Sequence, residues 1–208
     1  MKTDGIIFDV DGTIWNSTPI VEKAWNKALE DAGYSERVTA KRLQGLFGLP
    51  MDAIIRDILP NESEENRIKF APSCYKNEHE FLERNGGIVY EGFEDMLKEL
   101  YPKVPMYIVS NCQAGYIELM LNKTGFGRYF KDHLCFGDND KLKAENIRIV
   151  CERNGIKTPV YVGDTQMDAN ACIEAGVPIV FASYGFGNVE KPDYVIDTPA
   201  DLVKLYEE

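Results

Sequence analysis

Histidine and cysteine are scarce in this 208-residue chain, and neither is arranged for chemistry. The two histidines, His79 and His133, are isolated and fall in no motif, so each reads as a surface or internally satisfied side chain. The five cysteines (Cys74, Cys112, Cys135, Cys151, Cys172) are scattered, odd in number and without CxxC spacing. They argue against a disulfide framework or a zinc cluster and suit reduced thiols in a cytoplasmic protein. Long apolar runs are also missing. None could span a bilayer, and the N-terminal MKTDGIIFDVDGT meets acidic residues too early for a signal peptide. Basic residues are in deficit: 23 Lys and Arg against 34 Asp and Glu give a formal net charge of −11. A nucleic-acid groove or an anionic membrane requires a basic face, so neither is expected as the main partner. Internal repeats and low-complexity tracts are absent.

What is present is ordinary for a globular protein, with 44% hydrophobic and 27% charged residues. The length suffices for one domain or for a domain with a large insertion. Short apolar runs at residues 5–8, 104–109, 159–162 and 177–181 read as buried parallel strands, and 194–196 is a weaker one. Helical patterns near 93–101, 114–124, 142–154, 166–175 and 199–206 alternate with them, which predicts an α/β fold with a parallel sheet. From about Pro19 to Arg84 no strand is evident. Helical stretches run through 21–29 and near 39–47, 51–58 and 63–84, and Gly86-Gly87 then marks a hinge or turn. The organisation expected is an α/β core of residues 1–15 and 87–208, with residues 16–86 inserted as an all-helical cap domain.

In open α/β sheets ligands bind outside the carboxyl ends of the strands. Three of the apolar runs break there into polar residues: Asp9-Val10-Asp11-Gly12-Thr13, Ser110-Asn111, and Gly163-Asp164-Thr165-Gln166-Met167-Asp168. Any one of these could be a helix cap or a turn. Together they put Asp9, Asp11, Ser110, Asp164 and Asp168 around one pocket. Carboxylates so crowded need a divalent cation, and hard oxygen ligands select magnesium. An acidic protein that binds an anionic ester needs such a local cation in any case.

With these motifs the chain resembles the haloacid dehalogenase superfamily, in its phosphatase branch with a helical (C1-type) cap, similar to phosphoglycolate phosphatase. That branch carries Asp-x-Asp-Gly-Thr (here Asp9 to Thr13), a Ser or Thr ending an apolar strand (Ser110), a lysine before a helix, and Gly-Asp-x-x-x-Asp (here Gly163 to Asp168). The order and spacing match along essentially the whole chain. For the lysine, Lys143 fits better than Lys141, because Ala-Glu-Asn-Ile follows it like the family's helix start. The resemblance implies a Rossmann-like core and a magnesium-dependent phosphatase acting on a small-molecule phosphate monoester. In it Asp9 attacks phosphorus and forms an aspartyl-phosphate, and Asp11 serves as acid and then base. Magnesium is held by the Asp9 side chain, the Asp11 carbonyl and Asp164, with Asp168 direct or through water. Ser110 and backbone N–H groups including that of Asn111 hold phosphate oxygens, and Lys143 balances charge.

The same residues bear on three competing functions. A haloacid dehalogenase needs no second aspartate, and Asp11 argues against it. A phosphomutase similar to β-phosphoglucomutase keeps both aspartates, but those relatives more often continue Gly-Val where this chain has Gly12-Thr13. A non-catalytic binding protein is expected to have lost a motif, and none is missing. Elsewhere, Cys112 adjoins the phosphate loop without neighbours that favour a thiolate. Trp15 lines the entrance or packs at the hinge, and Trp25 packs the cap helices. The Gly45-Leu46-Phe47-Gly48-Leu49-Pro50 loop corresponds to the family's cap loop, which faces the pocket and helps choose substrate. Substrate identity, and the choice between monomer and homodimer, stay open.

Overall fold

The computed structural model describes residues 1–208. Its centre is β1 (Gly5–Phe8), whose four residues are all buried. Because a strand's side chains alternate between faces, Ile6 and Phe8 enter one hydrophobic core and Ile7 the other. Each such side chain contributes about 1.5–3 kcal/mol of burial. Around it form β4 (Met106–Ser110), β5 (Phe130–Cys135), β6 (Pro159–Gly163), β7 (Ile179–Ala182) and β8 (Tyr194–Ile196). The sheet order is β5-β4-β1-β6-β7-β8, parallel throughout. Helices α5 (Phe93–Leu100), α6 (Tyr116–Thr124) and α10 (Pro199–Glu207) supply buried residues to the Phe8 side. On the Ile7 side, α8 (Lys143–Asn154) and α9 (Gln166–Ala175) do the same, and a short α7 (Phe136–Asn139) links β5 to α8. This is the Rossmann-like α/β core expected.

One sheet strand, β5, is absent from the sequence reading. Its Lys131-Asp132-His133 centre is half-exposed at the sheet edge, so it carries no continuous apolar run. Asp132 is instead tied to Arg153 and Asn154 of α8.

Between β1 and β4 the chain leaves the sheet through β2 (Trp15–Asn16) and returns through β3 (Ile88–Val89), which pair antiparallel. The segment between them holds α1 (Thr18–Asp31), α2 (Ala40–Gln44), α3 (Met51–Ile58) and α4 (Glu64–Asn85) and no strand. Pro19 occupies the first turn of α1, where its missing N–H costs nothing. Val21, Ala24, Trp25, Ala28 and Leu29 then form the buried stripe of an amphipathic helix. The helix expected near 39–47 is only five residues long, because the glycines at 45 and 48 turn the chain instead. α4 runs through Pro72, which lies on the exposed side where the freed Ile68 carbonyl meets water. No helix is long and apolar enough to cross a membrane.

Candidate active site

The carboxyl end of β1 is pinned by the Asp9 N–H, which donates to the Val162 carbonyl at 2.9 Å. The chain then turns tightly, with Ile14 N–H on Val10 O and Gly12 N–H on Trp15 O. Gly12 has φ +83°, and a Cβ there would lie 2.0 Å from Asp164 Oδ2. On the other side, a Cβ at Gly185 would lie 2.3 Å from the Asp164 Cβ. Two glycines therefore leave the slot in which the Asp164 carboxylate rests, its Oδ2 accepting from Phe186 N–H at 2.7 Å.

Asp9, Asp164 and Asp168 are all buried, with one oxygen of each within 4.8 Å of the others. Asp168 is fully engaged. Its Oδ2 accepts from Thr165 N–H, Thr165 Oγ1 and Asp164 N–H, closing the capping box of α9, and its Oδ1 pairs with Lys143. Lys143 opens α8, is 3% exposed, and places Nζ 2.9 Å from Asp9 Oδ1 and 5.5 Å from the Tyr161 ring centre. Burial alone would push its ammonium down, but Asp168 and Asp9 outweigh that and hold it well above the usual lysine range. Lys141 is half-exposed and pairs with Glu145, so of the two lysines the structure brings Lys143 to the cluster. Burial lifts Asp9, with Lys143 opposing and Asp168 adding to the rise. Asp164 is lifted well above the carboxylate range by burial and by its two neighbours.

Asp11 has different surroundings. Its Oδ1 accepts from Ser17 Oγ and, at 2.8 Å, from the Tyr116 hydroxyl. Ser17 is the N-cap residue of α1 but gives its hydroxyl to Asp11 rather than to the helix. Burial raises the Asp11 carboxyl to about 7, against the lowering effect of both hydrogen bonds. Tyr116 stays protonated, since burial and the nearby Asp11 hold its hydroxyl well above the phenol range.

Asp9, Asp11, Ser110 and Asn111 form the floor of a cavity of about 40 Å³. Its roof comes from the inserted helices, with Trp25, Phe47, Gly48, Leu49 and Glu78. The loop after α2 thus faces the pocket, and Asn111 Nδ2 donates to Gly48 O across the gap at 2.8 Å. Trp15 is fully buried against Gly87 and Tyr116, which makes it a packing residue of the β2–β3 hinge and not an entrance residue. Trp25 does more than pack, since its indole N–H donates to Glu78 Oε2 at 2.7 Å. Cys112 is pushed well above the thiol range by burial and remains a thiol. His79 and His133 lie outside the cavity lining.

The sequence reading missed Ser17, Tyr116 and Glu78. The first two carry no signal. Glu78 does: the buried face of α4 reads Phe70, Cys74, Glu78, Leu82, every fourth residue, and a carboxylate in that stripe is out of place.

The donor set fits magnesium. Oδ1 of Asp164 is buried with no hydrogen-bond partner and Oδ1 of Asp9 meets only Lys143, so hard oxygens have coordination to spare where the carboxylates cluster around one lysine. Asp168, already saturated, suits an indirect part.

The model of the haloacid dehalogenase-like hydrolase family matches residues 6–182. A phosphoglycolate phosphatase of Pseudomonas savastanoi pv. phaseolicola is 27% identical over 220 residues, covering 96% of this chain and 77% of the relative. One of Photobacterium profundum is 26% identical over 218 residues, covering 96% and 94%. The solved structure of a predicted phosphoglycolate phosphatase from Haemophilus somnus superposes with a TM-score of 0.85 at 23% identity, covering 97% of each chain.

Proposed function

The chain belongs to the haloacid dehalogenase-like hydrolases, and from that premise we propose that it is a magnesium-dependent phosphatase that cleaves small-molecule phosphate monoesters. The observation that carries this is the pair Asp9 and Asp11. One carboxylate sits in a buried cluster paired with Lys143, and the other, two residues away, is raised to about 7 by burial.

Asp9 attacks phosphorus, the bond from phosphorus to the ester oxygen breaks, and the departing alkoxide takes the proton of Asp11. Asp11, now a carboxylate, takes a proton from water as that water's oxygen attacks the aspartyl-phosphate. The bond to Asp9 breaks and inorganic phosphate leaves. A carboxyl near 7 suits both halves, since it is populated as acid and as base at neutral pH. Ser17 and Tyr116 both load Oδ1 of Asp11, which supports Oδ2 as the oxygen that exchanges the proton. Ser110 and the Asn111 N–H hold phosphate oxygens, while Lys143 offsets their charge. The side chains of Asp9 and Asp164 and the Asp11 carbonyl, with Asp168 in support, would hold magnesium, which would supply positive charge at the transferring group.

Residues 16–86 serve as the cap. The cavity beneath them has room for roughly three water molecules, which favours entry of a phosphate ester by movement of these helices off the core, with the β2–β3 pair as hinge. The relatives' names make phosphoglycolate the first substrate to try.

With magnesium present, the purified protein should release phosphate from at least one of p-nitrophenyl phosphate, phosphoglycolate and a set of sugar phosphates. Asp9→Asn should lower that release by roughly three orders of magnitude or more while keeping the wild-type circular dichroism. No release from the whole set removes the reading, and wild-type turnover by Asp9→Asn moves the nucleophile elsewhere.

A further inference from the structure

The cap side of the cavity carries a charge that the chemistry above does not use. Glu78 lies on α4, 4% exposed, and faces the space above Asp9 and Asp11. Each of its oxygens accepts one hydrogen bond: Oε2 from the Trp25 indole, and Oε1 from Gln113 Nε2 at 2.8 Å. Both donors are neutral, and no lysine, arginine or histidine lines the cavity. A buried carboxylate without a cation is costly to keep, and its two fixed donors hold it in one orientation with lone pairs to spare. Burial lifts its carboxyl to about 7.

From this we infer that Glu78 selects the leaving group, favouring a phosphate ester whose alcohol part carries a hydrogen-bond donor, hydroxyl or ammonium, and rejecting one that carries a carboxylate. The inference rests on the phosphatase reading and narrows its substrate class. A donor on the leaving group completes the unfilled acceptor sites of Glu78, and Trp25, Phe47 and Tyr116 give its carbon skeleton an apolar and aromatic wall. A carboxylate in the same place meets Glu78 with no cation on that side of the cavity, since Lys143 is held below between Asp9 and Asp168, and like charges juxtaposed in a dry site are strongly rejected. Phosphoglycolate, the substrate in the names of the relatives, is therefore a poor fit for this cap.

The test compares kcat/KM for three short phosphate esters at about pH 8, above the Glu78 value of about 7. Phosphoethanolamine carries an ammonium, glycerol 3-phosphate hydroxyls, and phosphoglycolate a carboxylate; p-nitrophenyl phosphate reports separately on the chemical step. For the wild type, at least one donor-bearing ester should exceed phosphoglycolate by ~10-fold or more, and the better of the two identifies the donor. Glu78→Gln should shrink that ratio ~10-fold, and Gln113→Lys, which sets an ammonium against Glu78, should shrink it as well. The ratio is taken within each variant, so a general loss of activity does not move it, and Gln113→Lys carries the test if Glu78→Gln does not fold. Phosphoglycolate turned over as well as the others overturns the inference. So does a ratio unmoved in folded variants, or turnover of p-nitrophenyl phosphate alone. Silence on all four esters overturns the phosphatase reading itself.

Discussion

Two carboxylates two residues apart, Asp9 and Asp11, end up with different surroundings because the hydrogen bonding of β1 carries on only as far as Asp9. Asp9 continues the strand's hydrogen bonding and meets Lys143, whereas Asp11 lies past the strand end and meets only hydroxyls. Neutral donors stabilise a carboxylate less than a cation does, so burial prevails at Asp11 and its carboxyl rises to about 7. As the acid that protonates an alkoxide, Asp11 is competent while protonated, so kcat/KM for alkyl phosphates should fall above about pH 7. Asp11→Asn should remove that limb and cost ~10²–10⁴-fold in kcat/KM for an alkyl phosphate. It should cost much less for p-nitrophenyl phosphate, whose leaving group departs without a proton. Equal losses on both esters would show that Asp11 acts in some other way.

At the scale of elements, α4 shows how a helix built for packing also carries a polar group. Phe70, Cys74 and Leu82 continue the inserted segment's core along one face, and Glu78 interrupts them. Its carboxyl is raised from the ordinary 4.5 to about 7 by burial, against the lowering effect of Gln113 and Trp25. The sign follows from the raised value. The folded state keeps the proton more tightly than the unfolded chain, so stability is fullest below 4.5 and is lost as pH rises through about 7. The full effect is about 3 kcal/mol. Gln at this position does not ionise, and the Gln113 amide can turn over to match it. Glu78→Gln should therefore flatten the fall in melting temperature between about pH 5 and 8 and be the more stable protein at the upper end. A pH profile parallel to that of the wild type would place the titration elsewhere.

For the whole molecule, a net charge of −11 and three clustered carboxylates make the folded state a poor host for a phosphate ester until a cation binds. A cation that binds only the folded chain stabilises it by about 2.7 kcal/mol at a hundred times its Kd, which for a chain of this size means roughly 5–10 °C in melting temperature. Magnesium should produce such a shift without substrate, and Asp164→Asn should abolish it; an unchanged melting temperature would count against the site. Much of this molecule is legible in one dimension. A buried parallel strand needs an unbroken apolar run, so β1, β4, β6 and β7 announce themselves. Polar residues at a strand's end have few roles, so Asp9, Asp11, Ser110 and Asp164 stand out in the sequence itself. Edge strand β5 is hidden because its first four residues are only partly buried or exposed and follow no apolar pattern. Lys143 is separated from Lys141 only in part, since one opens α8 and the other lies two residues before it, and their difference is one of direction. Glu78, Ser17 and Tyr116 lie 67, 6 and 105 residues from Asp11. No local pattern joins them to it, because a pocket lined from separate elements exists only after those elements pack. The chain's local chemistry therefore determined the fold and the candidate site residues at the strand ends, while the neighbours that set their protonation, and the buried carboxylate of Glu78 facing them, were decided by tertiary structure alone.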